Sequence, residues 1–160
     1  MKNRNIKFFL LLCLILSFNS CGFDIINKSE INNFSIKQIN TDGNKRIGQK
    51  IKNNLLPFSK KNSANNLVID ITSKKNKTIK EKNIKNEITK YQINLDINVS
   101  FKSLEDSSIN ILKNFSVSGD YSVGKIHSTS INNEKKLIDN LIENLSKMIL
   151  NEMTLKLNDL

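Results

Sequence analysis

Tyr91, Ile93, Leu95, Ile97, Val99 and Phe101 alternate without a break with Gln92, Asn94, Asp96, Asn98 and Ser100. Successive side chains of a β-strand point to opposite faces, so this stretch demands a long strand with one dry side and one wet side. A sheet with one apolar face must be covered, and the rest of the chain has to supply the cover. Leu104 to Ser108 is a short polar turn, after which Ile109, Ile111, Phe115, Val117 and Tyr121 continue the same parity, interrupted by Lys113 and Gly119. Two alternating runs joined by such a turn read as a hairpin. Upstream, Leu67, Ile69 and Ile71 face away from Val68, Asp70 and Thr72, which predicts another half-buried strand. Phe34, Ile36 and Ile39 alternate only partly and mark a first strand.

Two segments follow the helical period instead. Ile47, Ile51 and Leu55 recur every four residues from about Asn44 to Leu56, where Pro57 stops the helix. Thr41-Asp42-Gly43-Asn44 supplies turn and cap chemistry before it. Gly48 lies inside this helix, where glycine costs about 1 kcal/mol relative to alanine; close packing against a sheet would explain it, and so would chance. The second helix carries Leu137, Ile138, Leu141, Ile142, Leu145, Met148 and Ile149 on one face, with Asn132 or Asn133 as its cap. The order β-α-β-β-β-α predicts an α+β two-layer sandwich: about four mostly antiparallel strands with two helices on one face. Residues 34–160 form that single domain.

The start of the chain has a different logic. Lys2, Arg4 and Lys7 precede the apolar run Phe8 to Leu16, which gives way to Ser17-Phe18-Asn19-Ser20 and Cys21-Gly22. This is the pattern of an export signal, and about ten apolar residues are half of what a membrane-crossing helix needs. The stretch resembles the bacterial lipoprotein signal, with Ser20 before the cysteine as usual and Phe18 where leucine is usual. That resemblance implies removal of residues 1–20, acylation of Cys21, and residues 21–33 as a tether. Gly22 rather than aspartate after the cysteine implies an outer-membrane destination. Each buried acyl CH₂ contributes about 0.8 kcal/mol, so several chains anchor firmly. Cys13 leaves with the signal and Cys21 is acylated, so no disulfide is expected in the mature chain.

The chain carries 25 basic and 15 acidic residues, a net charge of +10. The signal takes three cations and no acid, leaving +7. Such a surface attracts phosphorylated saccharides or anionic headgroups. The excess is concentrated between Ser73 and Lys90, where seven lysines face only Glu81 and Glu87. That run reads as a long hairpin or mobile loop. Export and a low aromatic content argue against nucleic acid as a partner.

Catalytic chemistry has little foothold. The single histidine, His127, falls in a polar stretch from Gly124 to Ser130 that reads as a loop, without ligand-spaced Cys, Asp or Glu for a metal. Asp120, Ser122 and His127 contain triad residue types, but nucleophilic catalysis needs aligned pairs rather than proximity along a strand end. No cofactor is expected apart from the covalent lipid.

Four pieces, taken together and in order, resemble one family. They are Cys21-Gly22-Phe23, Lys45 to Leu55, Lys90-Tyr91-Gln92-Ile93-Asn94-Leu95, and Asp120-Tyr121 followed by Asn133-Glu134. They look like the lipopolysaccharide-assembly lipoproteins of the LptE family. The resemblance implies a non-enzymatic outer-membrane component, anchored on the periplasmic face, that plugs and helps assemble the LptD β-barrel and assists lipopolysaccharide transport. It also implies basic contacts to lipopolysaccharide at Lys82 and Lys85, and at Lys125 in a second region where Ile131 stands in place of an expected base. The competing reading is a lipid-anchored periplasmic structural or chaperone-like protein for another envelope partner. A hydrolase is a distant third.

Overall fold

The structure is a computed structural model that describes residues 34–60, 63, 65–106 and 110–158. The signal at 1–20, Cys21, the tether at 21–33 and Ile109 lie outside the described residues.

Four strands, β1 (Phe34–Gly43), β2 (Asn65–Lys82), β3 (Ile88–Ser103) and β4 (Asn110–Ser122), form one sheet in the order β1-β2-β3-β4. β1 runs parallel to β2, and the other neighbours are antiparallel. Helix α1 (Lys45–Leu55) continues through a short 3-10 turn (Leu56–Phe58), and α2 (His127–Asn158) ends the described chain. Both helices cover one face, giving the anticipated α+β sandwich in the anticipated order.

The alternating residues meet that cover. Ile69, Ile93, Leu95, Ile97, Val99, Ile51, Leu55, Leu145 and Ile149 are fully inaccessible to solvent. Burying a side chain of this size contributes about 1.5–3 kcal/mol, so this cluster is the main source of stability. The broken alternation of β1 has a local cause: the register against β2 shifts between Ile36 and Gln38. The extra residue moves the inward face from Ile36 to Ile39, both buried.

Gly43 turns the chain into α1 with a φ of 76°, and a Cβ there would stand 2.2 Å from the Ser73 carbonyl oxygen. Only glycine fits both demands. Asn44 then caps α1, its Oδ1 accepting from the Ile47 N–H at 3.2 Å. A Cβ at Gly48 would stand 2.9 Å from the Thr41 Cβ, so close approach to β1 explains the glycine. Lys113 and Gly119, the two breaks in the β4 pattern, face the helical layer. Lys113 reaches Glu152 on α2 at 2.9 Å, and a Cβ at Gly119 would press on Leu137 at 2.6 Å.

Of the two readings of the run after Ser73, the long hairpin holds: β2 runs on to Lys82, and β3 starts at Ile88. Two expectations change. The helix α2 begins at His127 rather than near Asn133, so the expected 124–130 loop shrinks to a short turn. Its first turns lack apolar period but are pinned by side chains, with the Gly124 N–H donating to Ser130 Oγ at 2.9 Å and Asn133 Nδ2 to the Ser122 carbonyl at 3.0 Å. Met148 is 42 % exposed, while Ser146 is buried in the helix contact, donating to the Ile142 carbonyl and accepting from Asn54 Nδ2.

Candidate basic site at the hairpin end

Beyond Ser73 the sheet narrows. β1 stops, and β2 and β3 continue together to a five-residue turn, Asn83 to Glu87. The Asn83 side chain organises that turn, its Oδ1 accepting from the N–H groups of Lys85 at 2.9 Å and Glu87 at 3.0 Å. Asn86 takes the left-handed conformation, φ 63°, which asparagine tolerates better than most residues.

Inward positions change character along β2. Leu67, Ile69 and Ile71 feed the core, but Lys75 and Lys77 occupy the same face further out. They meet α2 at Glu134, with Nζ to carboxylate distances of 2.8 and 2.7 Å. The Tyr121 hydroxyl donates to the same carboxylate at 2.8 Å. Lys77 Nζ stands 4.3 Å from the ring centre of Tyr91 and 5.2 Å from that of Tyr121, and the two rings stack at 5.7 Å. A cation over aromatic faces gains where water is thinned out.

The titration behaviour reflects this enclosure. Burial alone raises the Glu134 carboxyl, but hydrogen bonds from Lys75, Lys77 and Tyr121 outweigh it and bring it down to about 2. For Lys77 burial pulls the ammonium down, while bonds to Glu134 and Tyr121 prevail and raise it. Burial pushes the Tyr121 phenol up, reinforced by the Glu134 carboxylate. Around neutral pH Glu134 is therefore a carboxylate shared by two lysines, while the Tyr121 phenol keeps its proton and donates to it. The cluster acts as a clasp that fixes α2 to the base of the hairpin.

Charges further out are sorted by the register. Lys90 pairs with Glu81 at 2.6 Å, and Lys80 approaches Asp120 at 3.9 Å. Lys82, Lys85 and Lys125 have no carboxylate partner among the described residues; Lys82 Nζ donates only to Asn86 Oδ1, at 2.9 Å. Lys82 ends β2, Lys85 sits in the turn, and Lys125 follows β4. The bond from the Val123 N–H to the Thr89 carbonyl, 2.9 Å, sets the start of that last connection beside the hairpin's returning strand. The topology thus collects the three sequence-selected lysines at one end of the domain.

Apolar side chains share that end, a feature the sequence reading missed. Ile84 is fully exposed, Ile126 is 64 % exposed, and Ile79 and Ile131 are about half exposed. Cations beside uncovered branched aliphatics form a surface that suits an amphiphile with anionic headgroups.

The residues considered for catalysis have other partners or stand at the surface. Asp120 faces Lys80, the Ser122 carbonyl accepts from Asn133, and His127 opens α2 at the surface. Among the described residues no group of three or more His, Cys, Asp or Glu side chains is placed to hold a metal ion, and no helix is long and apolar enough to cross a membrane.

No family model and no curated protein matches the sequence. Solved structures do match in fold. The rare lipoprotein B from Shewanella oneidensis superposes with a TM-score of 0.59 at 10 % identity, covering 76 % of this chain and 97 % of that one. A lipoprotein B from Nitrosomonas europaea gives 0.60 at 11 % identity, covering 83 % and 90 %. A minor lipoprotein from Acinetobacter baumannii gives 0.57 at 12 % identity, covering 78 % and 92 %. This chain therefore has the two-layer fold of those bacterial lipoproteins.

Proposed function

We propose that this chain is a non-enzymatic, lipid-anchored outer-membrane protein, tethered through Cys21 on the periplasmic face. In this reading it occupies and helps assemble a lipopolysaccharide-exporting β-barrel of the LptD type and offers its hairpin end to lipopolysaccharide. The observation that carries the proposal is the placement of Lys82, Lys85 and Lys125 at one end of the domain, none with a carboxylate partner among the described residues, together with the exposed isoleucines Ile84 and Ile126. Lipid phosphates pair with ammonium groups through charge-assisted bonds, and acyl chains favour aliphatic side chains. The lipoprotein names of the fold neighbours, the lipoprotein-like start of the sequence and its LptE resemblance point the same way.

The open face of the sheet supports the barrel role. Asn98, Asn114, Ser116 and Ser118 stand exposed there beside the ion pairs Lys102–Asp70 and Lys80–Asp120, so the face is polar. The interior of an outer-membrane barrel is polar too, so such a face suits its wall better than an oily one.

Affinity purification of the full chain from its native envelope tests the role. Recovery of a large outer-membrane β-barrel together with lipopolysaccharide is the expected result. Recovery of a different envelope partner without a barrel favours the structural or chaperone-like reading instead. Mass spectrometry of the mature amino terminus tests the anchor, the expected species being an acylated Cys21.

A further inference from the structure

A cleft lies away from the hairpin turn, between the start of α1 and the facing part of α2. Its volume is about 340 Å³. Ile47 and Ile142, both buried, form its floor with the half-buried Ile138, and Ile131 stands at its mouth, 52 % exposed. Its rim carries Arg46, Lys50, Lys75 and Lys135 against Glu134 and Asp139.

Both acids are already engaged. Glu134 is held by Lys75 and Lys77, and Asp139 by Lys50. Arg46 and Lys135 are exposed and have no carboxylate partner among the described residues. The cleft therefore combines an aliphatic floor with two unmatched cations, from different helices, at its edge. We propose that it binds a single-chain fatty carboxylate, with the head between Arg46 and Lys135 and the chain along Ile47, Ile138 and Ile142.

Size and head chemistry select this ligand class. Small-molecule pockets run from roughly 300 to 1,000 Å³, so this one admits a single acyl chain and is too small for a multiply acylated glycolipid. The guanidinium fork of arginine matches the two oxygens of a carboxylate, which a neutral alcohol does not offer. The site borders the clasp, sharing Lys75 and Glu134 with it, but it does not include the outer hairpin lysines Lys82 and Lys85 and takes a different ligand.

Titration of 11-(dansylamino)undecanoic acid into the full chain in phosphatidylcholine nanodiscs, with empty nanodiscs as reference, tests the assignment. Arg46→Ala combined with Lys135→Ala should weaken binding about tenfold, the scale of losing charge-assisted bonds. Ile131→Glu, a change at an exposed position, should weaken it similarly by placing a like charge at the mouth. Decanoate should displace the probe and decanol should compete poorly. Lys82→Glu with Lys85→Glu should leave the affinity unchanged, even where it abolishes lipopolysaccharide binding. Unaltered affinity in the cleft variants, equal competition by decanol, or loss confined to the hairpin variant would each overturn the proposal.

Discussion

The two ends of the sheet follow one backbone pattern and fill it with opposite chemistry. Near β1 and α1, the inward positions of β2 and β3 are Leu67, Ile69, Ile71, Ile97, Val99 and Phe101, all buried. Past Ser73, β3 still buries Leu95 and Ile93, but the inward positions opposite them on β2 are Lys75 and Lys77, and with Tyr91 beyond they are closed by Glu134 and Tyr121 rather than by aliphatic packing alone. The first arrangement is non-directional and draws its strength from area. The second depends on a few aimed groups, and it leaves the outermost lysines free for something else. The contrast teaches that alternation fixes which way a residue faces, while the covering element decides whether that face is oil or salt.

Leu145→Ala should produce the largest loss, about 3 kcal/mol, because Leu145 is fully buried between the helices and the sheet and its removal leaves a cavity. Urea unfolding checks this; a loss below about 1 kcal/mol would place the core elsewhere. Glu134→Gln should cost less, about 2 kcal/mol. Its carboxylate is 22 % exposed, between the weak pairs of the open surface and the strong ones of a dry interior.

Acid separates the two regions further. The folded Glu134 carboxyl lies at about 2, below its ordinary 4.5, so its contribution is complete above about pH 4.5 and disappears as pH falls towards 2. The stability gap between the parent chain and Glu134→Gln should therefore be constant at neutral pH and close across that window. A gap independent of pH down to 2 would show that the carboxylate is not the group involved. The smallest effect on stability belongs to the outer hairpin. Lys82→Glu with Lys85→Glu should shift unfolding by less than about 0.5 kcal/mol, since neither lysine has an ion-pair partner among the described residues, while binding of purified lipopolysaccharide falls markedly. Comparable losses of fold and binding would mean that the two ends are not divided in this way.

How far the sequence reveals this arrangement follows the same divide. Ile93 to Phe101 and Ile47 to Leu55 declare a strand and a helix because burial enforces their periods. Lys75 and Lys77 keep the strand's parity, yet as lysines in a charged run they read as solvated; only Glu134, far along the chain, gives them a reason to turn inward. The early start of α2 was hidden because Ser130 and Asn133 hold it by hydrogen bonds to Gly124 and Ser122, which leave no apolar rhythm. Of the candidate site, Lys82 and Lys85 were visible as part of a basic run. The family resemblance singles them out, and the register adds a physical difference from their neighbours by pairing Lys80 and Lys90 with Asp120 and Glu81. One clue to the clasp was present: Tyr91, Tyr121 and Glu134 all belong to the LptE-like segments, and they meet in space.

The division between a stabilising core and a free basic tip is tested most directly by a photocrosslinking amino acid placed at Ile84, the fully exposed side chain of the hairpin turn, in the full chain within its native envelope. The account predicts a crosslinked adduct with lipopolysaccharide at Ile84, lost when Lys82 and Lys85 are changed to glutamate. A protein that folds and reaches the envelope but yields no such adduct, or yields it equally without the two lysines, would contradict it.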